Sequence, residues 1–236
     1  MGGALLGGAL LAGAKLAGAS LRGADASAAD LQGADLGGAA CFRACFRGAR
    51  LLRAQMKAAE LREAVFEEAD LTDAVLRSAK LDHTVFFKAT LQQADLDGAS
   101  GQGTDFRDAN LTRAKLRKAS LQESRWEGAR LKSALACGAV LDRARGAGAS
   151  LQQTDLAKAS LRAAELDGAD LLEANLSFAE LLEASLRGAD LTRATLAHVV
   201  LRGADLRELR GTTVAELAKH SDDLRDTIVD GPHPVI

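Results

Sequence analysis

Apolar and polar positions in this chain alternate with a period of five residues. With the central residue of each block called i, Leu or Phe stands at Leu6, Leu11, Leu16, Leu21 and at nearly every fifth residue to Leu206, which makes 41 blocks without an insertion or deletion. Position i−2 is almost always Ala, with Thr84, Thr104, Ser124, Thr154 and Val199 as exceptions. Asp or Asn is frequent at i−1 (Asp30, Asp70, Asn110, Asp190) and Gly at i+2 (Gly23, Gly98, Gly168). Charged residues fall at i−1, i+1 and i+2.

A period of five suits neither regular element. On an α-helix successive central leucines would drift around the axis, and on a straight strand they would alternate between faces. They share one face only if the backbone bends once per block, and the Asx and Gly residues supply the turn chemistry for that bend. Positions i and i−2 then point inward, two apart as on a strand, and the other three face solvent.

Two features set the number of blocks per coil. Phe46, Phe66, Phe86, Phe106 and Trp126 are all central residues spaced by 20, so they predict a stacked ladder of rings on one wall. Charges agree, because like charges on neighbouring strands repel. Within residues 1–208, offset 20 holds 20 opposite-charge pairs and 4 like-charge pairs; offset 15 holds 7 and 14, and offset 25 holds 11 and 12. Examples are Arg47 with Glu67, Arg50 with Asp30 and Asp70, Asp97 with Arg77 and Arg117, and Asp167 with Arg187. Four blocks therefore make one coil of a square-section, all-β solenoid. About ten coils at the strand spacing give a rod roughly 50 Å long. Its core is packed with small and medium side chains, without a substrate cavity.

The pattern breaks in a few places. Ala26, Cys41, Gly101, Ala136 and Gly146 are undersized central residues. Gly146 is the next rung beyond Trp126 and Ala136 lies across the coil, so the room they leave either accommodates the indole or remains a local cavity. Arg113, Lys115, Arg117, Lys118, Arg130 and Lys132 form a basic cluster just past the middle, a candidate patch for an acidic partner or phosphate. Val65, Val85 and Phe87 are outward apolar neighbours. After Leu206 the register fails. Residues 212–220 read as a short helix with Thr212 or Thr213 as N-cap, and the following stretch with Pro232 and Pro234 reads as extended. The division expected is a repeat domain over 1–208 and a tail over 209–236. Val214, Leu217 and Leu224 are the apolar residues with which the tail would cap the rod or join a second copy. At the other end no cap is legible: another chain protects the first coil, or it frays.

Composition adds limits. Hydrophobic residues make up 47% but aromatics only 3%, too few for an ordinary globular core. A net charge of −2 gives no global bias toward nucleic acid. Cys41, Cys45 and Cys137 read as free thiols of a reducing, cytoplasmic setting. No apolar run is long enough for a membrane span. His83, His198, His220 and His233 have no fixed companions, so no catalytic residue, cofactor or metal is expected.

The A-(D/N)-L-x-x blocks over residues 4–208 resemble the pentapeptide-repeat proteins, and 41 consecutive blocks make the resemblance specific. It implies a right-handed quadrilateral β-helix and a non-catalytic protein that acts on a protein partner as an interaction scaffold. One branch of that family binds DNA gyrase or topoisomerase IV and protects it from quinolones, by resembling DNA in shape and negative charge. Many members of that branch are homodimers through the C-terminal tail. This chain departs from them, since its four sides sum to about 0, −3, 0 and +3 and none is an acidic stripe.

Overall fold

The computed structural model describes residues 3–230. Pro232, Pro234, His233 and the end of the expected extended stretch lie outside the described residues. From the first block to the last, the backbone repeats one pattern: a single parallel bridge at i−1 followed by a turn at i+1 and i+2. Up to Asp190–Arg210 each isolated bridge joins residues 20 apart, as in Leu5–Asp25, Asp25–Cys45 and Cys45–Val65. Four such ladders run in parallel. We call the sides A (containing Leu6), B (Leu11), C (Leu16) and D (Leu21). The solenoid is thus all-β, and residue n sits beside residue n+20 as the charge pattern predicts.

A backbone hydrogen-bond census explains the block. The N–H of i−1 donates to the coil before (Asp25 to the Ala4 carbonyl, 2.9 Å), and those of i and i+2 donate to the coil after (Leu6 to Asp25, 2.6 Å; Gly8 to Ser27, 2.8 Å). The next i−2 closes the turn (Ala9 to Leu6, 3.0 Å). One donor per block, the N–H of i+1, has no backbone acceptor. It lies on the outer turn, open to water, and in 16 of the 41 blocks a side chain takes it instead. Asp or Asn at i−1 does this in many blocks: the Thr72 N–H donates to Asp70 Oδ1 at 3.0 Å, and the Thr192 N–H donates to Asp190 Oδ1 at 2.9 Å. Elsewhere an Asp at i+1 of the coil before accepts it, as Asp97 does from Arg117 at 2.9 Å and Asp82 from Gln102 at 3.0 Å.

Each turn closes from i to i+3 and holds its third residue in the left-handed region, the geometry of a type II turn. Gly is at ease there. Non-glycine residues adopt it too, with φ of 55° at Ala28 and 57° at Asp73.

Inside, Phe46, Phe66, Phe86 and Phe106 are fully buried and stack on side A at centroid distances of 4.8, 5.1 and 5.2 Å, and Trp126 follows at 4.2 Å. The hydroxyls that replace Ala at i−2 are satisfied: Thr84 donates to the Leu61 carbonyl at 2.8 Å, Thr154 to Leu131 at 2.8 Å, and Ser124 to Leu121 at 2.5 Å. Ser124 also accepts the indole N–H of Trp126 at 2.6 Å. The indole leaves the undersized wall unfilled. A cavity of about 30 Å³ remains between Trp126, Ala136, Gly146 and Leu166.

The tail differs from expectation. The 20-residue spacing persists to Asp190–Arg210. Gly211 follows with φ of 80°, where a Cβ would collide with the Thr192 backbone. Helix α1, Val214–His220, then stands in place of a side C block, with Thr213 as N-cap accepting the Glu216 N–H at 3.2 Å. Beyond it the repeat resumes. Strand β2 (Ser221–Asp223) pairs with β1 (Val199–Val200), and Ile228 bridges Asp205. The helix adds residues to the coil, so the register lost in the sequence is retained in space. Leu217 and Leu224 are buried in the core cluster and Val214 is half-buried.

Because the third turn residue is left-handed, Ala28→Gly is expected to raise stability by up to about 1 kcal/mol. Urea unfolding measures it. A loss of stability, the usual effect of glycine in regular structure, would contradict this turn geometry.

Candidate interaction surfaces

Among the described residues no group of three or more His, Cys, Asp and Glu side chains is placed to hold a metal, and no helix is long and apolar enough to cross a membrane. His83 and His198 lie on outward turns, and His220 ends α1. Cys41, Cys45 and Cys137 are free, and burial pushes the Cys41 thiol up to about 12. The outer surface and the two ends are what the fold offers.

Ion pairs cover much of that surface, and most follow one of three spacings. Offset 20 accounts for Arg43–Glu63, Arg47–Glu67, Arg50–Asp30 and Arg117–Asp97, at 2.7, 2.6, 3.5 and 3.2 Å. Offset 18 runs from i+1 to the i−1 of the next coil: Arg77 reaches Asp95 at 2.7 Å and Arg162 reaches Glu180 at 2.5 Å. Offset 2 stays within a block. There Asp105 accepts both the N–H of Arg107 and its guanidinium fork, and Asp205–Arg207 and Asp223–Arg225 repeat the motif.

Several expected pairs change partners accordingly. Arg77 pairs with Asp95, not Asp97. Asp70 turns its carboxylate to Thr72 while Arg50 keeps Asp30. Asp167 takes the backbone N–H of Arg187, whose guanidinium reaches Glu208 at 3.4 Å. Arg77 and Arg187 reach diagonally to a neighbouring position of the next coil, and the Asp70 carboxylate is taken by the N–H and hydroxyl of its own block.

Burial pushes the Asp95 carboxyl's pKa up, but the Arg77 hydrogen bond, the Asp97 N–H and the Arg77 and Lys115 charges outweigh it and hold the carboxyl below its ordinary range. Asp105 is similar: burial pushes up, and the Arg107 fork and N–H with the Arg107 and Arg125 charges pull further down.

The structure divides the basic cluster. Lys115 and Arg117, on side C, are neutralised by Asp95 and Asp97 at 3.7 and 3.2 Å. Arg113, Lys118, Arg130 and Lys132 make no ion pair among the described residues. Arg113 and Lys132 come together in a shallow groove on side B with Gln92, Gln93, Thr112, Ser133 and Gln153, a lining without a carboxylate. Lys118 lies around the corner on side C beside Gly138, and half-exposed Leu135 bridges Lys115 on the same side. Further along side C, Phe178 is 51% exposed and stacks on His198 at 4.7 Å, and His198 meets Asp222 at 3.0 Å. Val65, Val85 and Phe87 are only half-buried, and Lys88 and Arg107 sit over the Phe87 ring at 4.9 and 5.4 Å.

Known proteins resemble this arrangement. Family models described as a pentapeptide repeat region and as pentapeptide repeats (8 copies) match residues 49–126, and residues 4–39, 127–162, 155–193 and 169–208. HetL from the cyanobacterium Nostoc sp. strain PCC 7120, a pentapeptide repeat protein involved in heterocyst differentiation regulation, is 30% identical, with 91% of this chain and 86% of HetL covered and a TM-score of 0.48. Trypsin-treated QnrB1, a plasmid-mediated fluoroquinolone resistance protein, is 18% identical over 70% of this chain and 91% of its own, with a TM-score of 0.37. Rfr23 from the cyanobacterium Cyanothece 51142 is 22% identical over 56% and 91%, with a TM-score of 0.30. No curated protein sequence matches.

Asp95 and Asp105 have depressed folded-state values, so the stability they contribute is present above their ordinary 3.8 and is lost as pH falls through the folded value. Thermal melts between about pH 5 and about pH 2.5 are expected to fall less steeply for the Asp95→Asn/Asp105→Asn variant than for the parent. Equal slopes would contradict that coupling.

Proposed function

The chain belongs to the pentapeptide-repeat family, and from that premise we propose that it is a non-catalytic, cytoplasmic scaffold that binds an acidic protein surface along sides B and C. In this reading the β-helix winds right-handed through about ten coils over residues 1–208, and residues 209–236 close one end. The observation that carries it is the pair Arg113 and Lys132, which make no ion pair among the described residues, in a groove lined by amides and hydroxyls; the Glu173 carboxylate beside it accepts from Gln153 and pairs with Arg193. Elsewhere most arginines are already paired within the rod, as Arg43, Arg47 and Arg53 are with Glu63, Glu67 and Asp73. Exposed pairs contribute little stability but do neutralise their surroundings. Charge without an ion pair in such a groove steers and orients an acidic partner.

A DNA-mimicking binder of DNA gyrase or topoisomerase IV, protecting it from quinolones, would present negative charge to a basic saddle. Side A alone is net negative, at −3, and its acids alternate with Arg47, Arg107, Arg187 and Arg207. That composition favours the scaffold reading over mimicry.

One titration with two arms tests the choice. A labelled octaglutamate peptide is expected to bind at low salt, and Arg113→Glu/Lys132→Glu to weaken it at least about tenfold with an unchanged melting curve. In parallel, micromolar protein is expected neither to inhibit gyrase supercoiling nor to protect it from a quinolone. Peptide binding indifferent to the charge reversal would refute the basic groove, and quinolone protection would install the mimic.

A further inference from the structure

The core is not filled everywhere. The ladder of rings on side A ends at Trp126, and the next rung, Gly146, carries no side chain. Ala136, on side C, is undersized as well. Between them lies the cavity of about 30 Å³, bordered also by Leu141, Leu151 and Leu166. The other central glycine leaves no such room. At Gly101 a Cβ would collide with Thr104 Oγ1 at 2.5 Å and with Leu81 Cβ at 2.7 Å, so its neighbours already fill that place. At Gly146 only Leu166 Cδ2 is close, at 3.0 Å, and the next neighbours lie at 3.8 Å. Among the described central residues from Leu21 to Leu191, Leu141 alone is not fully buried, and it borders this void.

The volume exceeds the roughly 10–15 Å³ that one water needs, but a buried water also needs about two to four polar partners. The lining does not offer them. Its side chains with a polar hydrogen have spent it: the Trp126 indole N–H donates to Ser124 Oγ at 2.6 Å, and the Thr154 hydroxyl donates to the Leu131 carbonyl at 2.8 Å. The Gly146 N–H donates to the Glu165 carbonyl at 2.7 Å. The remaining lining side chains are those of Leu and Ala. A void of this kind stays dry, and its walls regain the missing dispersion contacts only from an apolar occupant.

We propose that this void is a binding site for a small apolar molecule of the size class of xenon or dioxygen, seated against the indole of Trp126. One face of the indole stacks on Phe106 at a centroid distance of 4.2 Å. On the other side, where the ladder would continue, Gly146 leaves the indole without a ring to stack on. A polarisable occupant supplies that contact instead. Size narrows the class. The space is well below the roughly 150 Å³ that admits benzene, so it refuses aromatic rings and takes a molecule of very few heavy atoms. Polarity narrows it too, since a polar molecule entering here gives up its hydrogen bonds to water and gains none. The site is interior and independent of the basic groove, so either reading stands if the other fails.

The protein carries its own reporter. Trp126 is the only tryptophan and the chain has no tyrosine, so tryptophan emission reads this site alone. The probe is xenon, a heavy-atom quencher, applied under rising gas pressure. Quenching is expected to saturate, and the melting temperature to be higher under xenon than under helium at equal pressure, because an occupant of the folded state stabilises it. Ala136→Leu restores the usual central residue and is expected to reduce the saturable quenching at least about tenfold. If that leucine overpacks and unfolds the rod, Gly146→Ala serves in its place, since its Cβ displaces only Leu166 Cδ2 and narrows the void. Quenching that never saturates, quenching equal in the parent and the folded variant, or melting temperatures equal in both gases would overturn the proposal.

Discussion

The backbone ladder between coils sets the block: the N–H groups of i−1, i and i+2 go to neighbouring coils, the next i−2 closes the turn, and one donor, the N–H of i+1, is left over. That donor faces outward beside the bend, where an Asx oxygen two residues back or an aspartate one coil earlier can reach it. The bend in turn demands a left-handed residue at i+2, which is why Gly recurs there. With the bend fixed, only i−2 and i look inward, and the narrow interior accepts Ala and Leu. Turn chemistry, core composition and the five-residue period are thus one constraint seen at three positions.

The coil length was legible because it leaves two long-range marks. The rings from Phe46 to Trp126 can stack only at a spacing of 20, and charges facing each other across coils complement each other at the same spacing. Individual pairings were less legible. Counting at multiples of five cannot see the in-block fork of Arg107 on Asp105 or the diagonal reach of Arg77 to Asp95. Counting offsets 2 and 18 would have found both. The tail was hidden for a different reason. Helix α1 inserts extra residues into one coil, so Leu224 takes up a central position that no five-residue count from Leu206 reaches. The void beside Trp126 was unreadable in principle, because residue volumes alone do not say whether Leu166 and the indole close a gap or leave it.

For function the consequence is restrictive. With no room inside for a macromolecule, its recognition falls to the sides and ends. Along the sides two kinds of surface remain: paired charge, which is neutral and bland, and the cations near Arg113 and Lys132 that make no ion pair among the described residues. The basic cluster could be read in the sequence as a stretch of lysines and arginines. Its division could not, because the neutralisation of Lys115 and Arg117 depends on which aspartates the coil brings beside them.

Deletion measures the central claim, that the 20-residue coil is the repeating unit, most directly. Removing residues 64–83 takes out one full coil and rejoins every ladder in register, whereas removing 64–68 takes out one block and sets each later side against the wrong neighbour. The account predicts that the larger deletion unfolds cooperatively at a midpoint close to the parent's, and that the smaller lowers the midpoint further. A smaller deletion that is tolerated as well as the larger would contradict it.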